Sequence, residues 1–315
     1  MLRIFFASDV HGSEITFRKF LNAPKLYKAN VAILGGDLTG KWMVPIFEEN
    51  GIFRAKFLGQ EYIAKGSGEL EKIKKDIRFQ GGYPYLTTLE EFEELRKDPE
   101  KADKKFSKLM VETMECWVKI ADERLKNSGI KVFILPGNDD RHAIDVVLEK
   151  AEHVINPEGR VCYIDDIHEM ISTGYTNITP WNAPRDISEE ELNNKIELLC
   201  AEVQDMKNCI FCFHCPPYGT QLDRATQIDK DFRPVAGASG TIATKHVGSV
   251  SVRNAIEKYQ PLLSLHGHIH ESRGVCKINR TLCINPGSEY LEGILRGALI
   301  ELDEKGVKSY TLTSG

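Results

Sequence analysis

Aspartate, asparagine and histidine residues follow five apolar runs of this 315-residue sequence, at the points where strands would end. The five segments are Asp9-Val10-His11, Gly35-Gly36-Asp37, Gly137-Asn138-Asp139-Asp140, His214-Cys215-Pro216 and His266-Gly267-His268-Ile269-His270. Ligands of open α/β sheets bind at the carboxyl ends of strands, so we expect these side chains to meet at one edge. One such residue alone would more often cap a helix or face solvent. Their concentration at strand ends favours a metal site.

The donor types in these segments narrow the choice of metal. Imidazole, carboxylate and amide together suit Mn, Fe, Co, Ni or Zn more than Ca or a lone Mg. A carboxylate such as Asp37 can bridge two ions, and two ions about 3.5–4 Å apart act on both oxygens of a displacement at phosphorus. Such chemistry needs no protein nucleophile, and the sequence contains neither G-x-S-x-G nor G-x-x-x-x-G-K-[ST].

The apolar runs before these residues have the length of strands and end at Gly, Pro, Asn or Asp. Strands are predicted at 2–7, 31–34, 132–135, 167–172, 210–213, 262–265, 282–284, 298–302 and 308–312. Helices are predicted at about 14–28, 141–151, 188–206 and 249–259. The alternation indicates an α/β fold, and the strand-rich last third of the chain indicates that the sheets are mixed.

Residues 40–130 interrupt this alternation and are too many for one crossover connection. Asn50-Gly51 predicts a hairpin turn, and charged amphipathic stretches at 68–78 and 88–127 predict helices. Residues 41–130 hold 17 Lys and Arg against 17 Asp and Glu, so the segment is neutral. We expect one domain over 1–315 with a largely helical insertion at about 40–130. The insertion is either a cap beside the site or a solvated excursion that only stabilises the domain.

Composition excludes some classes of protein. A net charge of −5 disfavours a dedicated nucleic-acid binder, and no apolar run approaches the roughly 20 residues of a membrane helix. MLRIFFASD is interpreted as a first strand and not as a signal peptide, which predicts a cytoplasmic protein. The eight cysteines are then expected to be reduced thiols. Cys209 and Cys212 should face opposite sides of a strand and serve structure.

The motifs Asp-x-His, Gly-Gly-Asp, Gly-Asn-x-Asp, His-x-Pro and Gly-His-x-His, in this order over residues 9–270, resemble those of the calcineurin-like metallophosphoesterase superfamily. The segments HCPPYGTQLD (214–223), HVGSVSVR (246–253) and INPGS (284–288) are similar to its Icc-like phosphoesterase branch. The resemblance implies a four-layer αββα sandwich of mixed α/β type. It also implies a dinuclear phosphoesterase that acts by attack of a metal-bridging hydroxide.

The resemblance also assigns residues to the two metals. One metal would be bound by Asp9, His11, Asp37 and His270, and the other by Asp37, Asn138, His214 and His268. His266 would lie behind the ligands, and Asp140 would orient the residue beside it. The expected cofactors are two divalent ions among Mn, Fe, Zn, Co and Ni, with Mn favoured.

Asp139 departs from the superfamily pattern, in which many members have histidine as the general acid at this position. An aspartate beside two cations should be ionised, so it cannot donate a proton and repels a phosphate dianion. We therefore expect a phosphodiesterase for small diesters in preference to a phosphomonoesterase. His246 or His142 would then supply the acid, and Tyr218 and Arg253 would line the substrate pocket.

Two alternatives stay open from the sequence. A catalytically weak metal-binding scaffold could use the insertion for interaction, but it would have no reason to keep seven metal-binding side chains. A nuclease would need a basic stripe, which the sequence does not show. The expected partner is a small phosphodiester, without membrane or nucleic acid, and the sequence indicates no oligomeric state.

Overall fold

The computed structural model describes residues 1–237 and 241–315. The first part of the chain forms β1 (Leu2–Ala7), α1 (Glu14–Tyr27) and β2 (Val31–Gly35). The insertion forms β3 (Trp42–Glu49), β4 (Ile52–Phe57), β5 (Gln60–Ala64), α2 (Ser67–Phe79), β6 (Gly82–Thr87), α3 (Leu89–Lys97) and α4 (Pro99–Leu125).

The chain after the insertion continues the alternation that the sequence predicts. Its middle part forms β7 (Lys131–Leu135), α5 (Asp145–Glu149), β8 (Val154–Ile155), β9 (Val161–Tyr163), β10 (Glu169–Thr173), β11 (Thr176–Asn177), β12 (Asp186–Ile187), α6 (Glu189–Glu202) and β13 (Ile210–Phe213). Its last part forms β14 (Arg224–Thr226), β15 (Thr244–His246), α7 (Val250–Tyr259), β16 (Leu263–Leu265), β17 (Gly274–Ile278), β18 (Thr281–Asn285), β19 (Arg296–Asp303) and β20 (Gly306–Ser314).

Two six-stranded mixed sheets form the centre of the domain. The first has the order β20-β19-β1-β2-β7-β8, in which β1, β2, β7 and β8 are parallel and β19 and β20 are antiparallel. The second has the order β17-β18-β16-β13-β10-β9, with β18, β16, β13 and β10 parallel. The strands that precede the five polar segments are thus central and parallel.

Side-chain alternation along the strands builds four layers. In β1, Ile4 and Phe6 lie in the core between the two sheets, whereas Phe5 packs on the outer side with α1 and α4. The far side of the second sheet packs against α6 and α7 in a third apolar cluster. This is the αββα sandwich that the resemblance implied. The period of two along each strand places alternate residues in different layers.

The cysteines agree with this layering. Cys212 lies between the sheets, and Cys209 packs with α6 and α7, as the odd spacing predicted. All eight cysteines are free thiols. Within residues 1–237 and 241–315, no helix is both long and apolar enough to cross a membrane.

The insertion contains more β-structure than the sequence predicts. It has a four-stranded sheet of order β5-β4-β3-β6 besides α2, α3 and α4. The hairpin predicted at Asn50-Gly51 joins β3 to β4, and both turn residues have positive φ, 52° and 76°. The prediction missed β6, which pairs in parallel with β3 across α2. Local periodicity does not signal a pairing between distant strands.

Three glycines join the insertion to the loop that carries His11. A Cβ on Gly40 would lie 2.0 Å from the carbonyl oxygen of Gly81, and one on Gly81 would lie 2.2 Å from that of His11. A Cβ on Gly12 would lie 2.7 Å from Gly40. The backbones approach so closely that a side chain at any of these positions would separate them.

Replacing Gly81 by alanine should lower the free energy of unfolding by about 1–3 kcal/mol, the usual cost of overpacking. Gly59→Ala is the matched control, because its φ of +77° resembles the +86° of Gly81 but no atom of the described residues lies within 4 Å of its Cβ position. Urea unfolding of both variants separates steric overlap from backbone strain. Equal losses of stability in the two variants would show that overlap of the new Cβ with the carbonyl oxygen of His11 adds nothing to the backbone strain.

Candidate metal centre

Residues from five loops meet at the carboxyl ends of the central strands in two groups of potential ligands. The first group is Asp9, His11, Asp37 and His270, and the second is Asp37, His214 and His268, with the ligand atoms of each group within 4.8 Å of one another. Asn138 joins the second group, because its Oδ1 lies 2.9 Å from Nδ1 of His268. The fold therefore brings together the two sets of side chains that the resemblance implied.

Asp37 belongs to both groups and lies between them. Its Oδ2 is 3.5 Å from Nε2 of His11 and 3.4 Å from Nε2 of His214. Its Oδ1 accepts a hydrogen bond of 3.0 Å from the backbone N–H of Asp139. One oxygen is thus held by the loop after β7, while the other faces both histidines. This is the geometry that a bridging carboxylate needs.

His214 tests whether the cluster fits a metal. Its Nδ1 lies 2.8 Å from the carbonyl oxygen of Gly35, a contact that fixes the proton on Nδ1 and leaves the lone pair on Nε2. Nε2 is buried without a hydrogen-bond partner among the described residues and faces oxygens of Asp37 and Asp9 at 3.4 and 3.8 Å. Acceptors that face each other in this way favour a cation between them, so the donor set fits a divalent metal.

The backbone of the cluster is strained at the ligands themselves. Four of them have positive φ, a conformation that costs residues other than glycine about 1–3 kcal/mol: Asp9 at 58°, His11 at 40°, Asp37 at 53° and His268 at 67°. Such strain persists only where the surrounding structure enforces it, and it concentrates at functional sites.

Burial and mutual charge shift the pKa values of the ligands. Burial lowers the pKa of His268 to about 3 and that of His266 to about 4, which keeps both rings neutral. Burial also disfavours charged His214, but Asp37 and Asp9 outweigh it and raise its pKa to about 10. Burial raises the pKa of Asp37, although His214 opposes this. The raised pKa of His214 means that its Nε2 takes a proton between these carboxylates, and a divalent ion would replace that proton and bind the Nε2 lone pair.

Asp186 orients Asn138. The Nδ2 amide of Asn138 donates to Oδ1 of Asp186 over 3.1 Å, so its own Oδ1 turns toward His268. Asp186 also accepts hydrogen bonds from the backbone N–H groups of Thr179 and Ala183. Sequence reasoning missed Asp186, because no motif marks the segment Pro184-Arg185-Asp186.

Asp140 has a different role from the expected one of orienting Asp139. It is fully buried and accepts hydrogen bonds from the backbone N–H groups of Leu38, Thr39 and Gly137 and from the Thr39 hydroxyl, at 2.6–3.1 Å. Its oxygens therefore bind the loop after β2 to the loop after β7. Asp140 is a positioning residue and does not face a substrate.

Arg185 supports the same loop from behind. It is buried, and its Nε donates to the carbonyl oxygen of Asp140 over 2.8 Å. Its NH2 group pairs with Asp145, and its backbone N–H donates to the carbonyl oxygen of Asn138. Arg185 thus holds both ends of the Asn138–Asp140 segment, the Asp140 end through its guanidinium and the Asn138 end through its backbone N–H.

Asp139 meets a cation that the sequence did not indicate. Its Oδ2 lies 2.5 Å from the ammonium of Lys41, and its Oδ1 accepts a hydrogen bond of 3.3 Å from the indole of Trp181. Lys41 follows Gly40 at the start of the insertion. Asp139 was expected to repel a phosphate dianion, but the positive charge of Lys41 compensates this carboxylate, so the charge of Asp139 alone no longer argues for a diester.

The other predicted site residues divide into two sets. His266 lies behind the ligands as expected, with Nδ1 at 2.9 and 3.0 Å from the carbonyl oxygens of Phe213 and Cys215. His246 lines a cavity with His268 and is held by Asp223 at 2.7 Å from its Nδ1. His142 instead lies on the surface beside Asp145, 56% exposed, and lines neither cavity beside the centre.

Tyr218 and Arg253 are placed away from the metal centre. The Arg253 guanidinium pairs with Glu257 and donates to the carbonyl oxygen of Tyr218, so it braces the backbone instead of facing a pocket. The Tyr218 ring packs edge-on against His246 and is 43% exposed. The expectation that Arg253 binds substrate is not supported, since Arg253 lines neither of the two cavities beside the centre. Among the described residues, Tyr218 reaches the site through its contact with His246.

Two cavities open beside the centre, and Trp181 lines both. The first cavity, of about 620 Å³, is lined by Lys41, Phe106, Asp139, Arg141 and Trp181 among others. The second, of about 470 Å³, is called the aliphatic cavity because its lining includes Ile178, Ile228, Val247 and Ile269; Lys245, His246, His268 and Trp181 line it as well. Asp139 lines the first cavity and His268 lines the second, so both cavities adjoin the ligand cluster.

Known proteins resemble this chain in different ways. The sequence is 35% identical over 159 residues to the uncharacterized protein MJ1162 of Methanocaldococcus jannaschii, a match that covers 50% of this chain and 64% of that protein. The match thus spans less than two thirds of the relative's length. No family model matches the sequence.

Two solved structures agree with the fold over almost the whole chain. One has a TM-score of 0.59 at 16% identity and covers 99% of this chain and 98% of its own. The protein TT1561 of Thermus thermophilus has a TM-score of 0.53 at 14% identity and covers 100% and 98%. An archaeal phosphodiesterase also covers 100% of each chain, at a TM-score of 0.39 and 13% identity.

These structural likenesses, all at low identity, concern the fold alone. The layered sheets and the ligand groups at their carboxyl ends agree with the fold that the motifs indicated. The chain therefore has a four-layer αββα fold of mixed α/β type, with two groups of potential metal ligands at the carboxyl ends of its central strands.

Proposed function

We propose that this protein is a dinuclear metal-dependent phosphoesterase that hydrolyses small phosphodiesters. The observation that carries the proposal is the pair of ligand groups that share Asp37. When bound there, two divalent ions would supply Lewis-acid activation of water and of the phosphoryl oxygens. Manganese is the ion that we would load first, because imidazole, carboxylate and amide donors suit it.

Some residues of this chain would bind those ions, and others would position the loops that carry the ligands. Asp9, His11 and His270 hold one side of the site, and Asn138, His214 and His268 hold the other. The contacts of Asp140 and Arg185 keep the loops after β2 and β7 in register. The site thus needs no side-chain nucleophile, in agreement with the absence of nucleophile motifs from the sequence.

The two cavities support a diester over a monoester. A phosphodiester carries two organic substituents, whereas a monoester carries one. With phosphorus at the ligand cluster, one substituent would enter the cavity lined by Lys41 and the other the aliphatic cavity beside His268. This argument replaces the one based on the charge of Asp139, which Lys41 compensates.

The first test compares bis-p-nitrophenyl phosphate with p-nitrophenyl phosphate, using metal-free protein reloaded with Mn²⁺. We expect metal-dependent cleavage of both, with kcat/KM for the diester higher by about tenfold or more, equivalent to about 1.4 kcal/mol. No turnover of either ester with metal bound would contradict the proposal of an enzyme. Faster cleavage of the monoester would contradict the preference for diesters.

A cavity-filling variant tests the role assigned to the aliphatic cavity. Ile228 lines that cavity, so Ile228→Trp should reduce turnover of the diester more than turnover of the monoester. Ile63→Trp is the matched control, since Ile63 is exposed on β5 in the insertion. An equal loss for both esters would show that the second substituent does not enter this cavity.

A further inference from the structure

Lys41 lies between the ligand cluster and the first cavity. Its ammonium is 2.5 Å from Oδ2 of Asp139, and the same oxygen is 4.0 Å from Nδ1 of His11. Lys41 and Asp139 both line the cavity of about 620 Å³. A substituent that leaves phosphorus into this cavity would therefore pass the ammonium group.

Asp139 is held firmly enough to position a partner. Its backbone N–H donates to Oδ1 of Asp37, and its side chain, only 13% exposed, also accepts from the indole of Trp181. The carboxylate thus has a fixed place relative to the ligand Asp37. The ammonium of a lysine lies at the end of a flexible four-carbon chain, so a carboxylate in a fixed place restricts the positions that the Lys41 ammonium can take.

Lys41 retains donors for a ligand beside the ligand cluster, whereas Arg141, the second cation of this cavity, is held by its contacts with α4. The Arg141 guanidinium contacts Ser107 and Asp103 at 2.6 Å and lies over the ring of Phe106. Within residues 1–237 and 241–315, Asp139 is the acceptor in contact with the Lys41 ammonium, which has three N–H donors. Two donors therefore stay available, and Lys41 lines the cavity.

The charge of Lys41 is also preserved. Burial disfavours its charged form, but Asp139 and Asp37 outweigh burial and raise the pKa above its ordinary value. A lysine with a raised pKa is a poor proton donor at neutral pH but a good source of fixed positive charge. Its chemistry is therefore electrostatic.

We propose that the Lys41 ammonium, positioned by Asp139, binds the ester oxygen that leaves phosphorus and stabilises the negative charge that develops on it. In the hydrolysis, a water oxygen bonds to phosphorus and its proton passes to solvent, while the bond to the leaving oxygen breaks and the electron pair of that bond stays on the leaving oxygen. Lys41 donates a hydrogen bond without giving up its proton, and an alkoxide product takes its proton from solvent. The inference rests on the proposed function.

The leaving group provides the decisive test. Diphenyl phosphate releases phenolate, a more basic and less stable anion than p-nitrophenolate, so it depends more on stabilisation of the leaving oxygen. Lys41→Met should lower its kcat by about 10²–10³-fold, as loss of one preorganised donor does. The loss for bis-p-nitrophenyl phosphate should be about tenfold or less. Equal losses for the two diesters, or none, would overturn the inference.

A binding measurement tests the role of Lys41 without relying on turnover. Titration calorimetry with inorganic phosphate on the Mn²⁺-loaded protein should show about tenfold weaker binding in Lys41→Met, the loss of about 1.4 kcal/mol. Lys72→Met, on the exposed side of α2, is the matched control and should bind as wild type. Unchanged phosphate binding by Lys41→Met would overturn the inference, whether or not the wild type hydrolyses a diester. Failure of the wild type to hydrolyse either diester would instead contradict the proposed function.

A double-mutant cycle separates Lys41 from Asp139. Asp139→Asn should lower kcat for diphenyl phosphate by about tenfold, and it should add nothing to Lys41→Met, because Asp139 acts through the ammonium. Lys41→Arg keeps the charge and should restore part of the rate, which also guards against misfolding of Lys41→Met. Additive losses would show that the two side chains act separately and would overturn the pairing.

Discussion

Replacing Asp37 by asparagine should leave the protein folded but reduce turnover of bis-p-nitrophenyl phosphate by at least about 10³-fold, or about 4 kcal/mol of transition-state stabilisation. Asp37 is the residue that both ligand groups share, and its Oδ2 faces His11 and His214. Asparagine has the same shape and can still accept from the Asp139 N–H through one oxygen. It lacks the negative charge and the second oxygen that a bridge between two cations requires.

Metal content makes this prediction specific. Elemental analysis of protein loaded with Mn²⁺ should give two ions per chain for the wild type and at most one for Asp37→Asn. Asp166→Asn is the control, because Asp166 is exposed and belongs to neither ligand group. Two tightly bound ions in Asp37→Asn, together with wild-type turnover, would show that Asp37 does not bridge.

The second large effect is expected from Asp140→Asn, which should lower the free energy of unfolding by about 3 kcal/mol. The carboxylate of Asp140 is fully buried and accepts from three backbone N–H groups and one hydroxyl. An asparagine in its place would turn an NH2 group against some of these donors and leave them unsatisfied, at about 1–3 kcal/mol for each buried group.

Metal affinity should fall along with stability in Asp140→Asn. Asp140 joins the loop of Asp37 to that of Asn138, and loss of such outer hydrogen bonds commonly lowers metal affinity by about 10–100-fold. Urea unfolding and Mn²⁺ titration measure the two effects, with Asp166→Asn again as the control. A stable variant with wild-type affinity would mean that the two loops keep their register without this carboxylate.

Much of the framework was predictable because its signals are local. The run Leu-Arg-Ile-Phe-Phe-Ala alternates between two apolar layers, and its strand was predicted with the bounds Leu2–Ala7 that the structure has. The predicted helix at 14–28 ends at Tyr27, where Lys28 takes a left-handed conformation with φ 53°. The aspartate, asparagine and histidine residues after the strands indicate a metal site from the sequence alone, because the type of donor atom is a property of each side chain and does not depend on the fold.

Long-range pairings were not predictable from the sequence. β6 joins β3 across an intervening helix, and β17 (Gly274–Ile278) is an edge strand that the sequence prediction missed. Asp140 illustrates the same limit for a side chain. Its position beside Asp139 suggested a role in orienting its neighbour, whereas its hydrogen bonds go to the loop after β2. Adjacency along the chain does not decide which groups a buried carboxylate meets.

The sequence by itself determined the class of fold and the donor set, since strand periodicity and residue chemistry are properties of short segments. Only the tertiary structure decided what surrounds Asp139. Lys41 comes from the insertion and Trp181 from the segment before α6, and both contact its carboxylate. Electrostatic energy depends on distances between charges in space. The sequence alone therefore predicts that Asp139 repels a phosphate dianion, whereas the structure pairs its carboxylate with Lys41.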